Sequence, residues 1–80
     1  MLQLNRTPTP RADDVVITRI AHSMPVWILS TFEHAPQIHC SSYDEAIRRA
    51  RSYGREKSLD VFYTEDNGAT FTLVARYRPA

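Results

Sequence analysis

Apolar positions along the chain follow two different periods, and the change from one to the other organises the sequence. Val15-Val-Ile-Thr-Arg-Ile is rich in β-branched residues and predicts a first strand. Val26-Trp-Ile-Leu-Ser-Thr-Phe predicts a second and Gln37-Ile-His-Cys a short third, with turns at His22-Ser-Met-Pro and Glu33-His-Ala-Pro. Connections this short predict an antiparallel meander. From Ser42 the period becomes helical: Tyr43, Ala46, Ile47, Ala50 and Tyr53 recur on one face. Ser42 and Glu45 have the spacing of a capping box, in which hydroxyl and carboxylate each take a free amide of the first turn. Asp44 with Arg48, and Glu45 with Arg49, stand four residues apart in the favourable order for ion pairs. The spacing predicts a helix over 43–55 that frays or stops between Gly54 and Ser58. Leu59-Asp-Val-Phe-Tyr-Thr and Thr70-Phe-Thr-Leu-Val-Ala-Arg-Tyr then predict two more strands. Asp66-Asn67-Gly68 between them supplies residues that tolerate positive φ in a tight hairpin.

The order β-β-β-α-β-β predicts an α+β two-layer sandwich, a mainly antiparallel sheet backed by one helix, over residues 15–78. Residues 1–14 carry Pro8 and Pro10 and little apolar content, and predict a flexible N-terminal tail in which only Leu2 and Leu4 can dock.

Two resemblances attach to this pattern. The stretch from Trp27 through Ser42-Tyr-Asp-Glu-Ala-Ile-Arg-Arg-Ala to the hairpin at Asn67-Gly68 resembles a group of small bacterial domains of unknown function. Those pair a Trp-bearing strand with a Ser/Thr-x-x-Glu-Ala-Ile helix start and end in a hairpin. Residues 42–51 are also similar to the helix start of HicB-like antitoxins, whose fold is related to the double-stranded-RNA-binding domain. The second resemblance implies an antitoxin-like accessory role, although the residues after Tyr77 offer no separate DNA-binding segment of the HicB-like kind.

Composition narrows the classes. In 80 residues the net charge is +1, too balanced to imply a polyanionic partner by itself. A single cysteine, Cys40, excludes an internal disulfide and fits a reducing cytoplasm. No apolar run approaches the ~20 residues of a membrane span, and the N-terminus has no apolar signal core. A chain of this size has a marginal core, which self-association commonly enlarges.

Candidate chemistry is sparse. His22, His34, His39 and Cys40 have no metal-ligand spacing, and adjacent His39 and Cys40 point to opposite faces of a strand. There is no nucleophile elbow and no Gly-rich phosphate loop. Asp13-Asp14 and Glu65-Asp66 read as solvated charges. The expectation is a chain without catalytic residues, metal or cofactor.

Two surfaces remain. If Phe71, Leu73, Ala75 and Tyr77 of the last strand meet Tyr43, Ile47 and Ala50 of the helix, one sheet face is covered. The other then carries bulky groups drawn from Trp27, Leu29, Phe62 and Val74, a candidate face for a second copy, an unidentified protein or the tail. On the helix, Arg48, Arg51 and Arg55 gather beside the apolar stripe, and residues 41–58 carry a net +2. The sequence thus reads as a small non-enzymatic binding or accessory module, self-associating through its sheet and with no membrane partner. The alternative is a nucleic-acid-binding or antitoxin-like accessory protein using the arginine face, or the aromatic sheet face beside Arg19 and Arg76.

Overall fold

A computed structural model describes residues 8–20, 23–31, 38–66 and 68–79. Its strands are β1 (Val15–Ile20), β2 (Val26–Thr31), β3 (Ile38–Cys40), β4 (Val61–Thr64) and β5 (Thr72–Ala75), with α1 (Tyr43–Lys57) between β3 and β4. They form one sheet in the order β3-β2-β1-β4-β5. Neighbours are antiparallel except β1 and β4, which run parallel because α1 carries the chain across one face before β4 pairs beside β1. This is the expected α+β architecture.

Register decides which side of each strand meets the helix. Ile17 lies opposite Leu29 and Tyr63, Val15 opposite Val61, and Trp27 opposite Cys40. This set packs with Ala46 and Ala50 of α1 into the core, joined by Ile47, Leu59, Val74, Ala75 and Tyr77. Val16, Thr18, Ile20, Val26, Ile28, Phe62 and Leu73 lie on the far face.

β5 departs from the simple alternation. Phe62 pairs with Leu73 while Val61 pairs with Ala75, so Val74 is an extra residue in a bulge. The slip turns Leu73 to the far face, where Phe71 also stacks edge-on against Phe62 at 6.4 Å. The expected packing of Tyr43, Ile47 and Ala50 on Phe71 and Leu73 is therefore corrected. The helix instead lies over β1 and its neighbours, and Tyr43 meets Trp27 and Tyr63.

The buried line of α1 is Ala46, Ala50 and Gly54, three small residues one turn apart that let the helix sit close on the sheet. Ser42 caps the start, its hydroxyl accepting from Glu45 N at 3.1 Å, while the Glu45 carboxylate accepts from Arg49 Nε. Gly54 does not end the helix. The chain leaves it at Ser58, whose φ of 59° lies in the left-handed region, and Leu59 N donates to Gly54 O at 2.8 Å.

Two carboxylates close one end of the sheet. Asp14, only 1% exposed, accepts from Arg11 N, Asp60 N and the Arg78 guanidinium, with Arg78 Nη2 at 2.6 Å. Asp60 in turn accepts from Tyr77 N and Arg78 N, each at 2.9 Å. Asp14 is thus no solvated charge: buried carboxylates persist where they are paired and hydrogen-bonded. Pro10 is buried too, whereas Leu2 and Leu4 lie outside the described residues.

Candidate functional site

α1 rests over the middle of the sheet and leaves a groove on each flank. Toward β2 and β3 the groove is apolar, about 210 Å³, lined by Val15, Leu29, Ser30, Thr31, Ile38 and Tyr53. On the other flank a cleft of about 300 Å³ is lined by Tyr43, Asp44, Ile47, Arg48, Arg51 and Arg55. Helical geometry explains the second grouping: positions 44, 48, 51 and 55 fall within about 60° of one another at 100° per residue, beside the buried Ala46–Gly54 line.

The C-terminal segment anchors two of these arginines. Asp60 holds the Tyr77 backbone, and the bulge in β5 turns the tyrosine back toward the helix. Arg51 Nε donates to Tyr77 Oη at 3.1 Å, and the Arg55 guanidinium lies 5.8 Å from the centre of the Tyr77 ring. The Arg51 hydrogen bond, with Arg55 nearby, pulls the Tyr77 hydroxyl below its ordinary value, and the same bond pushes the Arg51 guanidinium up. Among the described residues, none of Arg48, Arg51 and Arg55 lies within salt-bridge distance of a carboxylate, and of the two ion pairs expected along the helix Glu45–Arg49 forms.

At the N-terminal end of the cleft, Tyr43 makes edge-on contacts with Trp27 (6.5 Å) and Tyr63 (5.5 Å), and Arg19 lies over the Trp27 ring at 5.9 Å. The Tyr63 hydroxyl donates to Glu65 at 2.8 Å; burial, then that carboxylate, raises its pKa.

The structure brings together Arg48, Arg51 and Arg55 but does not bring together Trp27, Leu29, Phe62 and Val74. Leu29, Trp27 and Val74 belong to the helix-side core, whereas Phe62, 1% exposed, is on the far face. The open face anticipated from the strands exists with a different membership, since β2 turns Val26 and Ile28 outward and not Trp27 and Leu29. Tyr77 faces the helix as the sequence predicted, but neither its contact with Arg51 and Arg55 nor the part played by Asp60 was among the sequence expectations; the bulge that aims Tyr77 leaves no signature in the run Phe71–Tyr77.

The remaining reactive groups stand apart. Cys40 is buried under α1, and desolvation, followed by the nearby Glu45, pushes its thiol up. His39 is exposed on the opposite side of β3, and His22 and His34 lie outside the described residues. No group of three or more His, Cys, Asp or Glu residues converges as a metal site among the described residues, and none of the helices described is long and apolar enough to cross a membrane.

Comparison with known proteins gives no match to a family model, a curated protein or a solved structure.

Proposed function

We propose that this protein is a non-enzymatic binding module and that its ligand is the phosphate backbone of a nucleic acid, held by Arg48, Arg51 and Arg55. The observation that supports it is the docking of Arg51 and Arg55 on Tyr77 in place of a carboxylate. A tyrosine orients a guanidinium without cancelling its charge. Of the five N–H donors on Arg51, the hydroxyl takes one and leaves the others for a ligand. A purely structural account covers part of this, because a cation in the last helical turn, such as Arg55 or Lys57, also complements the helix dipole. It does not account for Arg48 and Arg51, which sit further back and share the same cleft. From Arg48 to Arg55 the helix rises about 10 Å, long enough for the guanidiniums to address more than one phosphate of a strand.

The test is titration of a labelled oligonucleotide across a salt series, with Arg48→Ala/Arg55→Ala as the variant; Arg51 is kept because it anchors Tyr77. Each phosphate that the variant no longer neutralises should lower the log–log salt slope by about 0.7–0.9. Absence of binding at low salt, or an unchanged slope in the variant, would refute the reading.

A second reading, self-association, is supported by the far face of the sheet. Ile20, Val26, Ile28 and Leu73 are only half-buried there, and no helix covers them among the described residues. Sedimentation equilibrium should then show a dimer that dissociates on dilution and in Ile28→Lys. A monomer at every concentration removes this reading.

A further inference from the structure

We infer that the cleft takes a single strand in preference to a duplex, with Tyr43 stacking on a base while Arg48, Arg51 and Arg55 hold the adjoining phosphates; this rests on the phosphate-binding reading above. Tyr43 lines the same cleft as the three arginines and keeps 43% of its surface exposed. Its ring is held by edge-on contacts to Trp27 and Tyr63, 62° and 87° from coplanar. An exposed ring fixed in this way stacks on a ligand with little further loss of side-chain freedom. Asp44 gives the cleft a direction. Its carboxylate, at the Tyr43 end, repels phosphate but accepts hydrogen bonds from the amino group of a base, whereas the Arg51–Arg55 end attracts phosphate. Every residue lining it belongs to one face of α1, an open surface along which a single strand can turn a base onto Tyr43. In a duplex the base faces are stacked on one another and closed to a side chain lying along the backbone. A merely structural Tyr43 would cover the Trp27–Tyr63 pair and influence stability alone.

The experiment compares the full chain with Tyr43→Phe and Tyr43→Leu, each titrated at low salt with a short oligocytidine single strand and with a duplex of equal length. The parent and Tyr43→Phe should bind the single strand about tenfold or more tightly than the duplex. Tyr43→Leu should lose about tenfold on the single strand and nothing on the duplex, a loss within the range measured for base–aromatic stacking. Equal affinities of the parent for the two probes would overturn the inference, and so would single-strand binding unmoved in Tyr43→Leu. Either result leaves the phosphate reading intact, since that is judged by the arginine-dependent salt slope. No binding of either probe overturns both. Should Tyr43→Leu not fold, the parent's ratio of single-strand to duplex affinity decides the matter.

Discussion

Arg78 reaches across 64 residues of sequence to place both Nε and Nη2 on one oxygen of Asp14, at 3.2 and 2.6 Å. The same Asp14 oxygen accepts from Asp60 N, and Arg78 Nη2 also donates to Ala12 O. One carboxylate thus ties the entry to β1, the entry to β4 and the segment after β5, and that last segment is the one that presents Tyr77 to the helix.

Replacing Asp14 by Ala should therefore be severe. Removing one partner of a buried ion pair typically costs about 3–5 kcal/mol, because the other charge and its amide donors are left unsatisfied. Urea denaturation measures it. A change within about 0.5 kcal/mol, the usual range for a surface position, would show that Asp14 is solvated and the clasp unimportant.

Gly54→Ala tests the close seat of the helix. In an exposed helix this change stabilises by roughly 1 kcal/mol, since glycine is the poorer helix former. Here an added Cβ would stand 2.8 Å from Leu59 O and 2.9 Å from Val61 Cγ2, and the nearer atom is backbone. Overpacking of this kind costs about 1–3 kcal/mol, so the melting temperature should fall. A rise would mean that the helix can lift off β4 freely.

Much of the fold was legible because its signals are local. Ser42 opens the helix by a hydrogen bond to a residue three positions on, and Gly68, with φ of 91°, takes the positive φ expected between β4 and β5. Yet β4 ends at Thr64 and β5 begins at Thr72, a longer connection than the tight turn expected. What strand alternation could not state is which of two alternating sets meets the helix. Val26 and Ile28 are as apolar as Trp27 and Leu29, and Val15-Val16-Ile17 is apolar on both sides, so only the register across the sheet distinguishes them. The bulge at Val74 then inverted the expected sides of Leu73 and Val74. The arginine group, by contrast, was legible because 48, 51 and 55 are one helical face whatever the helix packs on. The tyrosine's role in it was not, because Tyr77, legible only as a helix-facing residue of the last strand, is positioned through the contacts of Asp60 and of Asp14, and the charge of Asp14 reads as solvent-facing in the sequence.

Acid should loosen the β4–β5 hairpin through Asp66. Thr70 Oγ1 donates to its carboxylate at 2.6 Å, Thr70 N at 2.9 Å and Thr64 Oγ1 at 2.8 Å. These bonds, the Thr70 hydroxyl foremost, lower the Asp66 pKa from 3.8 to about 2. A depressed carboxylate contributes stability that is fully present above its unfolded value and is lost as pH falls through the folded one. Thermal melts of the parent and Asp66→Asn should therefore differ most near neutrality and converge as pH drops from 3.8 to about 2. A gap independent of pH would show that the carboxylate's charge plays no part in the turn.

The tyrosine that orients the arginines makes the last prediction, read by phenolate absorbance during an alkaline titration. Tyr77 and Tyr63 are displaced in opposite directions: Tyr77 ionises below the ordinary 10.0, chiefly through the Arg51 hydrogen bond, and Tyr63 above it, chiefly through burial. The titration should accordingly be broad, with an early component missing in Tyr77→Phe. Arg51→Ala should shift that component upward, because the donor that favours the phenolate is gone. Arg48→Ala should leave it in place, since Arg48 lines the cleft without being among the groups that perturb Tyr77. The same early component also reports the ligand. A bound phosphate competes for the guanidiniums of Arg51 and Arg55, so an oligonucleotide at saturating concentration should raise the Tyr77 value toward 10.0. If it ionises identically with and without an oligonucleotide that demonstrably binds, the phosphates lie elsewhere on the molecule.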